Sequence, residues 1–154
     1  MANGRYHYTE CGLDDVYLVG GFEFVDAPSG RQVVISDLDG LHAAIGRHLV
    51  NSKKGLSKKE IRFLRHEMSM SQSTLARLLA VSEQAVRRWE AGKSTIPGPA
   101  EALLRLLYRE STDHGDRGPG PKSIRAALKD IADLEDEFGK MTFRDSGAGW
   151  QRAA

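Results

Sequence analysis

The spacing of apolar residues changes early in the chain from a strand-like to a helical pattern. Residues 6–35 are rich in β-branched and aromatic side chains, which favour strands. Gly20 and Gly21 separate two such apolar runs and predict a two-residue hairpin, because both can adopt positive φ. A second turn is predicted at 27–30. The pattern therefore predicts a three-stranded antiparallel meander, which residues 6–9 could extend.

Helical spacing begins at 38–50, where Leu41, Ile45 and Leu49 recur on one face. A small sheet buries too little apolar surface to be stable alone, so we expect this helix to cover it. A basic, polar joint follows at 51–56.

Serine residues stand before the later helical patterns and predict where those helices start. A serine hydroxyl can accept a hydrogen bond from an unpaired amide of the first turn. The four serines are Ser57, Ser71, Ser82 and Ser123. Ser57 and Glu60 also fit a capping box. The apolar residues that form the inner faces behind the first three caps are Ile61, Leu64, Met68, Leu75, Ala76, Leu79, Val86 and Trp89.

The stretch 71–92 predicts two short helices joined by a tight turn. Val86 and Trp89 are three residues apart in the second helix and can face the same interior. The opposite side carries Gln84, Arg87 and Arg88. Because Gln can bond adenine and Arg can bond guanine bidentately, this polar face fits the major groove of DNA.

A further helix is predicted from Pro99, since proline is well tolerated in a first turn. Its apolar face comprises Leu103, Leu104, Leu107 and Tyr108. The Gly- and Pro-rich segment 111–121 predicts a linker. A last helix runs from Ser123 to Phe138, and its apolar stripe fits either core packing or an interface with a partner. We expect residues 139–154 to be disordered or to order only on contact, with Phe143 and Trp150 as anchors.

The central stretch resembles the XRE, or phage-repressor-like, helix-turn-helix family. The matching residues are Gln72, Leu75, Ala76, Val81, Ser82, Val86, Trp89, Glu90, Gly92 and Pro97. The resemblance implies a lambda-repressor-like fold and an ion pair between Arg65 and Glu90. The chain departs from the family at the turn, where Ala80 replaces the usual glycine. A left-handed backbone at Ala80 would cost about 1–2 kcal/mol.

We expect the helix 83–90 to enter the major groove of a double-stranded DNA operator. The residues expected to contact DNA are Gln72, Ser82, Glu83, Gln84, Arg87, Arg88 and Lys93. Gln72 and Lys93 would fix the register on the phosphate backbone. Two roles are open for Glu83, which could accept a hydrogen bond from cytosine or favour the helix N-terminus through the dipole.

The net charge of +1 conceals an uneven distribution of charge along the chain. Residues 1–52 carry −4, residues 53–110 carry +6 and residues 111–154 carry −1. The positive charge therefore coincides with the predicted DNA-reading segment, as phosphate binding requires.

The sequence predicts no cofactor, no metal site and no membrane association. Cys11 is the only cysteine, and the histidines lack the spacing of metal ligands. No apolar run approaches the roughly 18 residues of a membrane helix, and no apolar signal region is present at the N-terminus, so we expect a cytoplasmic protein.

One motif raises the alternative of an enzyme. Asp37 and Asp39 follow an apolar run in the pattern Asp-x-Asp-Gly, which resembles the first motif of haloacid-dehalogenase-like phosphatases. That fold requires parallel strands with crossovers, whereas the sequence after Asp39 is helical. We therefore interpret one of these aspartates as a helix cap and expect no catalytic site.

Residues 6–110 also resemble a zinc-free branch of the MqsA-type antitoxins. The resemblance rests on the N-terminal strand pattern, on EIRFLR ahead of SQ..LA, and on the Leu-Arg-Leu-Leu-Tyr helix. It implies autoregulation of an operon and neutralisation of a cognate toxin protein. Zinc-binding members carry paired Cys-x-x-Cys, of which this chain keeps only Cys11, so we expect no metal there.

We predict an α+β protein. A small N-terminal antiparallel β-sheet with a helix, at 1–52, precedes an all-α helix-turn-helix domain at 53–110. The linker 111–121 then leads to a C-terminal helix and flexible tail at 122–154. We predict a homodimeric transcriptional repressor that is the antitoxin of a type II toxin–antitoxin pair; the alternative is a stand-alone regulator.

Overall fold

The computed structural model describes residues 4–52, 55–113, 123–134, 141 and 143–153. The helices are α1 Leu38–Ser52, α2 Lys58–Glu67, α3 Gln72–Leu78, α4 Glu83–Ala91, α5 Gly98–Asp113 and α6 Ile124–Ala132. The strands are β1 Arg5–His7, β2 Tyr17–Val19, β3 Phe22–Ala27, β4 Gly30–Ile35, β5 Phe143–Asp145 and β6 Trp150–Arg152. This mixture of helices and small sheets confirms the α+β class.

The N-terminal strands form two separate hairpins, so the predicted three-stranded meander is wrong. β1 pairs with β2 and β3 pairs with β4, both antiparallel. Gly20 and Gly21 do adopt positive φ, but the Gly21 carbonyl accepts a hydrogen bond from Ser36 N at 2.8 Å. That bond extends the β3–β4 ladder, so the Gly-Gly pair separates two sheets. The centroids of the Tyr6 and Phe22 rings lie 5.4 Å apart, so the two hairpins are in side-chain contact.

The helices begin at the caps that the sequence predicts. Each predicted serine cap accepts a hydrogen bond from the backbone amide three residues later. The distances are 3.3 Å for Ser57 and Glu60 N, 3.0 Å for Ser71 and Thr74 N, 3.1 Å for Ser82 and Ala85 N, and 3.0 Å for Ser123 and Ala126 N. Asp37 Oδ1 accepts from Gly40 N at 3.1 Å at the start of α1. Asp37 therefore acts as a helix cap, as the structural interpretation of the Asp-x-Asp-Gly motif expected.

One buried cluster joins the N-terminal region to the later helices. Leu64, Leu75, Val86 and Leu104 are fully buried at its centre. The same cluster contains Leu13, Leu49 and Val50 from the first 52 residues. Polar contacts follow the same path, because Arg105 donates to the Leu49 carbonyl at 2.8 Å and to Glu101 at 2.7 Å. Glu101 also accepts from Leu56 N at 3.1 Å. The boundary at residue 52 stays a prediction.

The described part of the C-terminal segment contains helix α6 and two short strands. Helix α6 ends at Ala132, and its last helical hydrogen bond runs from Asp133 N to the Lys129 carbonyl at 2.9 Å. Within the described residues the helix is therefore shorter than the predicted helix to Phe138. Phe138 itself lies outside the described residues. Strands β5 and β6 pair around a turn in which Ser146 N donates to the Gly149 carbonyl at 3.0 Å.

The glycine-rich turn brings these two short strands together. Whether residues 139–154 are disordered or order only on contact stays a prediction. Phe143 and Trp150, the predicted anchors, are exposed. Among the helices that the structure describes, none has the length and apolar content to cross a lipid bilayer.

Candidate nucleic-acid interface

Helix α4 buries its apolar side and exposes its polar side. Val86 is 0% exposed and Trp89 is 5% exposed, and both belong to the main buried cluster. Gln84, Arg87 and Arg88 are exposed. Since Val86 and Trp89 fix the rotation of the helix, the three polar side chains project away from the core.

Two predicted contact residues at the start of α4 already interact with each other. Arg87 Nη2 donates to Glu83 Oε1 at 2.6 Å, one helical turn apart, and both side chains are substantially exposed. Exposed pairs of this kind contribute little to stability, so Arg87 can exchange Glu83 for another anion at small cost. The sequence spacing of four residues permits this pair, although neither role considered for Glu83 included it.

A bidentate ion pair fixes α4 against α2. Arg65 Nε and Nη2 donate to the two carboxylate oxygens of Glu90 at 2.8 and 2.7 Å, and the side chains are 8% and 5% exposed. Arg65 Nη1 also donates to the Met70 carbonyl at 2.9 Å. The pair that the family resemblance implies is thus present, and one guanidinium connects α2, the following turn and α4.

Three successive helices end on a residue with left-handed backbone. These residues are Ser69 after α2, Ala80 after α3 and Gly92 after α4, with φ of 54°, 55° and 73°. At each end the next residue's amide reaches back five positions, as in Val81 N to the Ala76 carbonyl at 3.0 Å and Lys93 N to the Arg88 carbonyl at 2.9 Å. This is the Schellman pattern, which glycine adopts most easily. Ala80 therefore adopts a left-handed conformation that glycine takes more easily than alanine.

Lys93 lies at one flank of α4, in a cleft of about 290 Å³. The same cleft is lined by Ser57, Lys58, Ser94 and Thr95, so two lysines and three hydroxyl-bearing residues lie near the C-terminal end of α4. Sequence reasoning did not assign Lys58, Ser94 or Thr95. The sequence shows only that Lys58 follows the Ser57 cap, and it gives no reason to expect Lys58 beside Lys93.

The remaining predicted contacts occupy helix starts. Gln72 is half-buried at the first position of α3, directly after the Ser71 cap. Ser82 is exposed, and its hydroxyl is engaged with Ala85 N. The structure therefore places Glu83, Gln84, Arg87 and Arg88 on α4 and Ser82 at its N-cap, with Gln72 on α3 and Lys93 in the loop that follows α4.

Histidine and acidic side chains do not assemble into a metal site in the described residues. His42 instead bridges two other side chains, with Nε2 2.8 Å from Tyr8 Oη and Nδ1 2.8 Å from Glu67 Oε1. His114 lies outside the described residues.

We compared the chain with family models and with known proteins. No family model matches the chain. The chain is 38% identical over 64 residues to a protein of Vibrio cholerae serotype O1 named Antitoxin HigA-2. The match covers 40% of this chain and 62% of that antitoxin. Over part of its length, the chain is similar to an antitoxin.

Proposed function

We propose that this protein is a sequence-specific DNA-binding repressor that acts as the autoregulating antitoxin of a type II toxin–antitoxin pair. The observation that carries the proposal is the orientation of α4, which buries Val86 and Trp89 and exposes Gln84, Arg87 and Arg88. The similarity to an antitoxin supports the same reading.

In this proposal α4 lies in the major groove and its side chains read base edges. Gln84 pairs with adenine, and Arg88 pairs with guanine through its two-pronged guanidinium. Arg87 breaks its ion pair with Glu83 and bonds a base or a phosphate instead. Gln72, Ser82 and Lys93 bond the phosphate backbone and fix the register, which carries no sequence information of its own.

The repressor acts as a homodimer, so its operator is a pseudo-palindrome. Half-sites about 10 base pairs apart, or a multiple of that spacing, place both copies of α4 on the same side of the duplex. Binding should weaken steeply as salt rises, because each phosphate contact releases condensed counterions.

The toxin partner is assigned to the N-terminal region. Residues 1–52 carry a net charge of −4, which complements a basic protein surface. The similarity to Antitoxin HigA-2 favours this role over that of a stand-alone regulator. The resemblance of residues 6–110 to MqsA-type antitoxins stays a prediction.

Binding of the purified full chain to its own promoter tests the DNA-binding part of the proposal. Fluorescence anisotropy should show tighter binding to this fragment than to a random duplex of equal length, and a footprint should show a two-fold pattern. Equal affinity for both duplexes would contradict sequence-specific repression.

Co-expression tests the partner. The protein encoded by the adjacent gene should co-purify with the full chain and lose its toxicity. An adjacent product that neither binds nor is toxic would favour a stand-alone regulator instead.

A further inference from the structure

A groove of about 490 Å³ separates α3 from α6, and sequence reasoning assigned no function to it. Ser73 and Arg77 line it from α3, and Arg125 and Lys129 line it from α6. Within each pair the residues are four apart, so each pair occupies one face of its helix. The groove is therefore lined by three cationic side chains, together with the hydroxyl-bearing residues Ser73, Thr74 and Ser123.

The charge of this groove is positive. Arg77 forms an ion pair with Asp133, which neutralises it. In the part of the chain that the structure describes, neither Arg125 nor Lys129 has a hydrogen bond or ion pair through its side chain, and both are exposed. Asp130, the acidic residue within α6, does not line the groove. Two positive charges thus remain available to an anion.

Helix α6 is held in place by contacts other than these two cations. Leu128 packs against the main buried cluster, and Ile124 N donates to Glu110 Oε2 at 2.8 Å. The Arg77–Asp133 pair adds a link to α3. Because Arg125 and Lys129 do not carry these contacts, we expect their removal to leave the helix in position.

The groove adjoins the proposed DNA contacts. Ser73 follows Gln72, which the proposed function places on the phosphate backbone. Arginine, lysine and hydroxyl groups are the side chains that most often bond phosphate oxygens in protein–DNA complexes. Gln72 and Ser73 share the first turn of α3, so a phosphate backbone bound at Gln72 lies close to one end of this cationic groove.

We propose that the α3–α6 groove binds phosphates of the DNA that flanks the bases read by α4. This inference rests on the proposed DNA-binding function and extends the contact surface to the C-terminal helix. The contact recognises the phosphodiester backbone, so it adds affinity and salt dependence on any sequence and does not select bases.

The salt dependence of DNA binding tests this inference in the full chain. The variant Arg125→Ala/Lys129→Ala removes two phosphate contacts, each of which contributes about 0.9 to the slope of log K against log salt. The magnitude of the slope should fall by about 1.8 on both a promoter duplex and a random 40-base-pair duplex. Between 50 and 200 mM salt, the variant should therefore lose about twelvefold less affinity than the wild type.

Two comparison variants separate charge at this groove from general charge and from packing. Arg31→Ala/Arg47→Ala removes two exposed arginines from the N-terminal region and should keep the wild-type slope. Arg125→Lys/Lys129→Arg keeps both charges and should also keep it. A slope lost in the charge-preserving variant would overturn the inference, as would an equal loss in the N-terminal variant.

The wild type separates failure of this inference from failure of the proposed function. If the wild type binds the promoter specifically but the double alanine variant keeps the full salt slope, only the inference about the groove is overturned. A wild type that binds neither duplex overturns both.

Discussion

The guanidinium of Arg65 holds both carboxylate oxygens of Glu90, at 2.8 and 2.7 Å, in a site nearly closed to solvent. Arg65 belongs to α2 and Glu90 to the last full turn of α4. The orientation of the proposed recognition helix therefore depends on a residue 25 positions earlier in the chain.

Removing one member of this pair should destabilise the protein strongly. Arg65→Ala leaves the Glu90 carboxylate buried without its cation, which costs about 3–5 kcal/mol in comparable pairs. Chemical denaturation should show a lower free energy of unfolding. The double variant Arg65→Ala/Glu90→Ala should lose much less than the sum of the two single variants. Additive losses would contradict a direct coupling.

Replacing Ala80 with glycine should stabilise the turn between α3 and α4. Ala80 has φ of 55°, a conformation that costs an L-residue about 1–2 kcal/mol and costs glycine much less. We expect Ala80→Gly to raise the free energy of unfolding by about 1 kcal/mol after the extra chain entropy of glycine. Ala102→Gly, at an exposed site inside α5, should instead lower it by about 0.5–1 kcal/mol. A loss at both sites would show that the turn carries no strain.

Adding a methyl group at Gly46 should destabilise the contact between α1 and α5. A Cβ at this position would overlap the hydroxyl and ring of Tyr108, which is 2% exposed and cannot easily move. Burial of the same side chain raises the pKa of the Tyr108 phenol. Gly46→Ala should cost about 1–3 kcal/mol although alanine favours helices. Gly98→Ala, where a Cβ meets nothing within 4 Å, should stay within about 0.5 kcal/mol of the wild type.

Arg88 and Lys93 should affect DNA binding in different ways. Arg88→Ala should cost about 1–3 kcal/mol on the promoter and relax the preference at one base pair, because it removes a base contact. Lys93→Ala should weaken binding to all sequences alike and lower the salt slope by about 1. Anisotropy titrations on promoter and random duplexes measure both effects. An equal loss on both duplexes for both variants would defeat this division.

The helical half of the protein could largely be predicted from local chemistry. Each serine cap acts on an amide within three residues, so Ser57, Ser71, Ser82 and Ser123 needed no knowledge of the rest of the chain. The inward faces of α2 to α4 followed from helical spacing in the same way. The polar face of α4 is exposed as expected, and its contact with DNA stays a prediction.

Strand pairing could not be predicted as well, because it depends on competition between distant partners. The pattern around Gly20 fitted a hairpin, yet β2 pairs with β1 and β3 pairs with β4. The cleft around Lys93 depends on tertiary packing too, since Lys58 reaches it only when α2 and the end of α4 come together. Spacing along the sequence carries no information on either contact.

The buried cluster that includes Leu49, Val50 and Leu104 has a consequence for dissecting the protein. A fragment that starts at residue 53 would lose the α1 side chains that cover the inner face of α5, and Arg105 would lose the Leu49 carbonyl. Such a fragment would expose apolar surface and aggregate more readily than the intact chain. Exchange of the N-terminal segment between related proteins would therefore require its α1 contact surface to be transplanted together with it.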